Sequence, residues 1–338
     1  MSFLKPFREL YMIGPEISLP AKVDNAELLR RLGYTDGLQT RMSWIEARSG
    51  IESRHWVDPQ TACSDLAIEA GHKIMAKKPS ALEIGHLVLA TVSGDHISPP
   101  SSPLVQAGLA LPHCGAYDLA AACAGFATAL YAVGSQTLAT EENQLLINSE
   151  IRSKFLNPKD LGTAILFGDG AAAVILSLKP TAANWKIKGV LTQVQGEFHD
   201  LITIPAGGSR QPVQKELSED HYFLQMRQGA KVFLSALSAM KQMAADLLQR
   251  LEISIDDITW LVPHQANGVL IQALAKEMNF PIEKTWNVIR TIGNTSGASS
   301  PIALAKLREQ KNLQKGDLVL NVSAGGGGFA AAALFEAL

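Results

Sequence analysis

The chain is 338 residues long, 47% apolar and 18% charged, with 30 Lys+Arg against 32 Asp+Glu and a formal net charge of −2. A composition this apolar excludes a disordered, solvating segment and requires a large buried core, either two domains or one large unit at ~150 residues per domain. The near-zero balance excludes a global attraction to nucleic acid or anionic lipid. Cys63, Cys114 and Cys123 are an odd set with no CxxC pair, which argues against a disulfide scaffold and against a zinc site. The first residues carry prolines and charges rather than an apolar leader core, and no run reaches the ~18 apolar residues of a membrane-spanning helix. The expectation is a protein of the reducing cytoplasm with no nucleic-acid, membrane or metal partner.

Short β-rich runs alternate with longer helical ones, the rhythm of a layered α/β fold. In chain order the pattern predicts a helix over 65–76, strands over 86–92 and 116–121, a helix over 123–140, and strands over 144–148, 164–167, 172–178 and 185–195. An exposed loop over 206–214 follows, then a helix over 222–251, a strand over 258–262, a helix over 268–278, a strand over 285–288, a helix over 300–308 and a strand over 317–322. Leu224, Val232, Leu234, Leu237, Met240, Met243, Ala244 and Leu247 recur at the helical period as one face of the long helix. Gly168-Asp-Gly-Ala-Ala reads as a hairpin turn between two strands.

The chain also repeats itself. Leu87 and Leu261 are separated by 174 residues (261−87), and Asn148 and Asn321 by 173 (321−148), within matching runs of strand, loop, helix and strand. This offset predicts a duplicated βα unit with a pseudo-twofold axis, residues 1–180 forming one half and 181–338 the other.

Four segments could carry chemistry. Cys123 follows a small-residue strand end and opens a helix, where free N–H groups and the macrodipole favour a thiolate and lower its pKa below ~8.5. Cys63 and Cys114 lack that setting. His264, in Pro-His-Gln-Ala-Asn, lies just past a buried strand, the edge where α/β sheets place catalytic groups; among the histidines only His96 has a comparable position. Asn294, in Gly-Asn-Thr-Ser, brings an amide that can donate to an oxyanion without joining the proton chemistry. Gly325–Gly328 allow a backbone N–H to point into a site unobstructed, and no phosphate-binding Lys-Ser/Thr follows them. Together these suit acyl transfer from a thioester to a thiolate, with His264 and Asn294 stabilising an enolate-like oxygen and the N–H groups of Cys123 and the glycine turn holding the tetrahedral oxyanion. A papain-like Cys–His–Asn order is also present, but without that family's Cys-Gly-Ser-Cys-Trp signature.

Ala-Ala-Ala-Cys-Ala-Gly-Phe, Leu-Phe-Gly-Asp-Gly-Ala, Trp-Leu-Val-Pro-His-Gln-Ala-Asn, Gly-Asn-Thr-Ser and Gly-Gly-Gly-Phe occur in this order, and the chain from about Leu19 onward resembles β-ketoacyl-acyl-carrier-protein synthase III. The resemblance implies the thiolase fold, with two βαβαβαββ halves in five α-β-α-β-α layers. It also implies a homodimer with no permanently bound cofactor, a coenzyme A thioester as donor and a malonyl-carrier-protein acceptor. By position it makes Cys123 the acylated nucleophile, His264 and Asn294 the pair supporting decarboxylation and condensation, and Gly327 the second oxyanion donor. It assigns Trp44, Arg48, Lys154 or nearby Arg152, Gly229, Phe233 and Ala266 to coenzyme A. Ser98 falls where a phenylalanine often caps the acyl pocket, so the pocket should be larger or more polar. Val269, Ala230 and Leu234 replace an arginine, an asparagine and a lysine that serve coenzyme and carrier-protein binding. Arg227 and Lys231, spaced i,i+4, offer a substitute basic patch. Transfer of the same acyl group to an alcohol or amine is the alternative reaction.

Overall fold

Alternation of apolar side chains along the strands decides the layering of this protein, whose computed structural model describes residues 1–214 and 216–338. In the strands Ile84–Ala90 and Asn143–Glu150, Leu87, Leu89, Leu145 and Ile147 face outward onto Ala67, Ala70 and Ile74 of the helix Cys63–Lys77. Their neighbours Val88, Ala90 and Leu146 face inward onto Phe126 and Leu130 of the helix Gly125–Thr140 and Ile302 and Leu307 of the helix Ser299–Gln310. The second half repeats the scheme. Val190, Val262, Val319 and Ala331 point into the same central core. Leu191, Leu261, Leu320 and Leu334 point outward beneath the helices Gly229–Leu251 and Gly268–Glu277. Sheets buried on both faces need apolar residues at nearly every position, which the composition supplies. The result is the five-layer α-β-α-β-α arrangement.

Strand order is the same in the two halves. Tyr11–Ser18, Gly170–Ser177, Asn143–Glu150, Ile84–Ala90 and Gly115–Leu119 lie side by side in the first; Trp185–Val194, Phe329–Ala337, Leu318–Gly325 and Trp260–Pro263 do so in the second. The parallel pair Leu87↔Leu145 matches Leu261↔Leu320, and the sheets join through Tyr11↔Lys186 and Met12↔Trp185.

Several elements differ from the sequence pattern. Where the first half has the strand Gly115–Leu119, the segment 285–288 makes only the bridge Leu261↔Thr285 and is not a strand. The Gln265 side-chain oxygen captures the N–H groups of Val288 (2.8 Å) and Ile289 (3.1 Å) and diverts them from a ladder. Residues 164–167 do not form a strand either: Leu161–Ala164 is a helical turn capped by Asp160, and Phe167 makes one bridge to Asn294. Gly168-Asp169-Gly170 is not a hairpin turn. Asp169 is buried and accepts from the N–H groups of Arg152 (2.7 Å), Ser153 (2.9 Å) and Val57 (2.9 Å) and from Ser153 Oγ (2.6 Å). The long helix begins at Gly229 rather than 222, and Gln225–Met226 instead pairs with Ile202–Thr203. Leu234 is 63% exposed, because six residues before buried Met240, at 100° each, it lies ~240° round the helix.

Candidate active site

The turn between the strand Gly115–Leu119 and the helix Gly125–Thr140 holds Cys123 in a single 3₁₀ turn, Ala122–Ala124. Two non-glycine residues in left-handed conformation flank the sulfur, Ala122 before it (φ 45°) and Ser296 across from it (φ 50°). Backbone of this kind is costly and collects at functional sites. Ser296 Oγ lies 3.8 Å from Cys123 Sγ. The last sheet residue, Gly325, comes so close that a Cβ there would sit 2.5 Å from Cys123 Cβ.

Cys123, His264 and Asn294 line one cavity of about 680 Å³. His264 stands at the end of the strand Trp260–Pro263, its N–H held by the Val322 carbonyl (2.7 Å) and its Nδ1 hydrogen-bonded to Ser299 Oγ (2.5 Å), which leaves Nε2 for the cavity. Asn294 Oδ1 accepts from the Ser296 N–H at 2.9 Å; the amide NH₂ is what remains to donate to a ligand oxygen. Gln265 ties these groups together: its Nε2 donates to the Pro263 carbonyl (2.7 Å) while its Oε1 holds the segment leading to Asn294.

The electrostatics correct one expectation. Burial pushes the Cys123 thiol above its ordinary value, and the Ser296 hydroxyl, the Arg152 charge and the Gly326 N–H only partly draw it back. The resting group is therefore a thiol, because desolvation outweighs the short turn and helix end. Burial lowers His264 to about 4, so its imidazole is neutral at pH 7 and able to accept the thiol proton.

Other anticipated residues divide. Arg48, Arg152, Gly229, Ala230, Phe233, Ala266 and Val269 line the cavity. Trp44 instead borders a neighbouring depression with Thr40, Arg41 and Leu161, and Arg48 lies over its ring at 5.6 Å. Lys154 is committed elsewhere, donating to the carbonyls of Pro59 (2.9 Å) and Thr61 (2.7 Å). Gly327 is in the glycine turn at φ +78°, and the N–H of its neighbour Gly326 is directed at the Cys123 sulfur. Ser98 is exposed and outside the cavity of this chain. Its loop is anchored outward, with the N–H and Oγ of Ser64 donating to Asp95 (2.9 and 2.6 Å) and the Ser101 N–H to Asp118 (2.8 Å). Among the described residues no cluster of His, Cys, Asp and Glu could hold a metal, and no helix is long and apolar enough to cross a membrane.

Sequence reasoning missed Glu150 and underused Arg152. Glu150 is buried, accepts from Ser93 Oγ (2.7 Å) and the Val92 N–H (3.3 Å), and is pushed by burial to about 7. Arg152 is 5% exposed, and its Nε has no partner. Opposite charges at the end of an otherwise apolar strand were the available signal.

Opposed titrations follow. Between about pH 4.5 and 6.5 the unfolded chain binds a proton that folded His264 does not, so stability rises with pH. Over the same window folded Glu150 binds one that the unfolded chain releases, so stability falls. Relative to the parent, His264→Gln should tilt unfolding free energy downward with rising pH and Glu150→Gln upward, each by up to about 1.4 kcal/mol per pH unit. Urea unfolding at pH 4.5 and 6.5 measures both tilts; parallel pH dependences in parent and variants would contradict the burial of these groups.

A duplicated five-layer sheet with a cysteine at a strand-to-helix turn, facing a histidine and an asparagine, defines a thiolase-fold condensing enzyme. The chain matches the family described as 3-oxoacyl-[acyl-carrier-protein (ACP)] synthase III over residues 117–196 and that family's C-terminal region over 248–337. It is 36% identical over 334 residues to a 3-oxopimeloyl-[acyl-carrier-protein] synthase of Rhodothermus marinus (98% of this chain, 94% of the relative). To a β-ketoacyl-[acyl-carrier-protein] synthase III of Roseiflexus castenholzii it is 35% identical (93% of this chain, 94% of the relative). The crystal structure of the 3-oxoacyl-(acyl carrier protein) synthase III of Pseudomonas aeruginosa superposes with TM-score 0.84 at 30% identity, covering 97% of this chain and 98% of that one. The chain belongs to the β-ketoacyl-acyl-carrier-protein synthase III family and is a transferase of that type.

Proposed function

We propose that this enzyme loads a dicarboxylic acyl group from its coenzyme A thioester onto Cys123 and extends it by decarboxylative condensation with a malonyl thioester. Cys123 gives its proton to His264 and attacks the thioester carbonyl; the oxyanion is held by the N–H groups of Cys123 and of the glycine turn at Gly326 and Gly327, and coenzyme A leaves as its thiol. Malonyl thioester then loses CO₂. The enolate oxygen is stabilised by His264 Nε2 and the Asn294 amide, its carbon attacks the acyl carbonyl, and the cysteine thiolate is expelled. Asn294, with an amide NH₂ left for such an oxygen, favours this reaction over transfer to an alcohol or amine.

The single observation that carries the choice of primer is the buried Arg152 guanidinium, with Nε unpartnered, in the cavity of Cys123. A buried cation that makes no ion pair within 4.0 Å is costly and suits an anionic ligand. The name of the Rhodothermus relative fits. A 3-oxopimeloyl chain has seven carbons and a terminal carboxyl, and condensation with malonyl adds two carbons net, so its primer is a five-carbon dicarboxylic acyl group, glutaryl.

The coenzyme reaches the cavity past Arg48, Gly229, Phe233 and Ala266, with Trp44 at its outer end. Arg227 and Lys231 offer an acidic carrier protein a basic approach. The chain acts in the cytoplasm as two similar halves, 1–180 and 181–338, and as a homodimer. The strand Gly115–Leu119 pairs on one side only, which supports pairing with a second copy and a subunit boundary near Ser98.

With glutaryl-CoA and pentanoyl-CoA in competition, intact mass spectrometry should find the glutaryl adduct on Cys123 favoured in the parent. Arg152→Leu should lower the glutaryl-to-pentanoyl ratio about 100-fold, the order expected for a lost buried charge pair. An unchanged ratio would overturn the dicarboxylic primer.

A further inference from the structure

We propose that Glu150 is a proton-linked specificity residue: it takes up a proton when the far carboxylate of a dicarboxylic acyl chain settles beside Arg152, so that preference for such a chain weakens as pH rises. This rests on the primer reading above. Glu150 closes the strand Asn143–Glu150, and Arg152 follows two residues later, both at the cavity end of the sheet. Glu150 is 1% exposed, and its carboxyl is held in place by Ser93 Oγ and the Val92 N–H. The Arg152 guanidinium donates only a long bond to the Val92 carbonyl, 3.5 Å, lies over the rings of Phe155 (5.8 Å) and Phe167 (5.9 Å), and forms no ion pair with Glu150 within 4.0 Å. The guanidinium is thus near enough to be felt by Glu150 and open enough to take a second anion.

Charge counting sets the direction. Without substrate the cluster holds one cation and one ionisable carboxyl; a dicarboxylic chain adds a second carboxylate in a desolvated space. Two like charges sharing one cation there do not both stay ionised, and the group already raised by burial takes the proton. The other ionisable groups facing Glu150 do not compete. The thiols of Cys123 and Cys63 are raised by burial, Cys63 to about 12. Asp169, just before the paired strand, is also raised by burial, but four donors hold its charged form, and Asp95 is occupied by Ser64. Glu150 lies at about 7, so uptake becomes costly above neutrality, with a limit of about tenfold in relative specificity per pH unit for one proton.

Competitive loading with glutaryl-CoA and pentanoyl-CoA from pH 6 to 9 tests this, because titration of Cys123 and His264 affects both primers and cancels in the adduct ratio. The ratio should be level below pH 7 and fall towards tenfold per unit above it; in Glu150→Gln it should be flat. A flat parent profile with an Arg152-dependent glutaryl preference overturns the role of Glu150 and leaves the primer reading intact. No glutaryl preference at any pH overturns both. Should Glu150→Gln fail to fold, calorimetry of Cys123→Ala protein at pH 8, in two buffers of different ionisation enthalpy, decides. Glutaryl-CoA should take up about one proton more than pentanoyl-CoA, and equal uptake refutes the coupling.

Discussion

Cys123→Ala protein is expected to form no acyl adduct and to lose condensation by about 10⁴-fold or more, while still releasing CO₂ from malonyl thioester. The two outcomes separate because the proposed mechanism has the residues act on different atoms. The sulfur is needed to hold the acyl group. The enolate needs only hydrogen-bond donors, and these are fixed without the sulfur: His264 by Ser299 and the Val322 carbonyl, Asn294 by the Ser296 N–H and by backbone bonds to Leu166 and Gly168. Alanine removes one polarisable atom from the cavity wall and leaves the turn Ala122–Ala124 intact. Gas release from labelled malonyl thioester without primer, alongside intact mass after acyl-CoA treatment, measures both. Loading at the parental rate would remove Cys123 from the mechanism. Loss of CO₂ release in step with loading would mean that His264 and Asn294 do not act apart from the sulfur.

The layering was legible wherever apolar residues alternate over a full strand, as in Leu87–Val88–Leu89 and Leu145–Leu146–Ile147, and the 174-residue offset identified the duplicated unit because both halves keep those runs. Elsewhere the signal was absent. Tyr11–Ser18 contains Gly14-Pro15, which reads as a break, and Phe329–Ala337 is so rich in alanine that its pattern names no element. The segment 285–288 has strand-like residues, yet the Gln265 side chain, 23 residues before Val288, takes the N–H groups at its end. Cys123 and His264 stand out in the sequence because each follows a recognisable strand and opens a turn; Asn294 stands out only by its Gly-Asn-Thr-Ser turn, since the segment before it is no strand. The thiol's pKa could not be, since it depends on how much water the assembled cavity excludes. The meeting of Glu150, Arg152 and Ser296 depends equally on tertiary placement: Ser296 is 173 residues from Cys123 in the chain.

Gly325→Ala should slow acylation of Cys123 about 100-fold in a protein that still folds, the scale of loss expected from a displacement of ~1 Å at a reacting group. Conformation is not the obstacle, since Gly325 is extended (φ −166°, ψ −169°), where alanine is unstrained. The obstacle is contact. The new methyl would stand 2.5 Å from Cys123 Cβ, 2.9 Å from its nitrogen and 3.1 Å from its Cα, and none of these is the free end of a long side chain. Either the strand Leu318–Gly325 or the nucleophile turn must retreat. The strand is locked by its pairing with Phe329–Ala337 as far as Gly325 itself and with Trp260–Pro263 as far as Val322, so the turn moves and carries the sulfur away from Ser296 and the glycine N–H groups. Overpacking of this kind costs about 1–3 kcal/mol of stability, within reach of a folded protein at low temperature. Gly208→Ala, where a Cβ meets nothing within 4 Å, serves as the control and should load normally. Parental acylation kinetics in Gly325→Ala protein would show that the turn yields without consequence and that its close approach to the sheet does not set the position of the thiol.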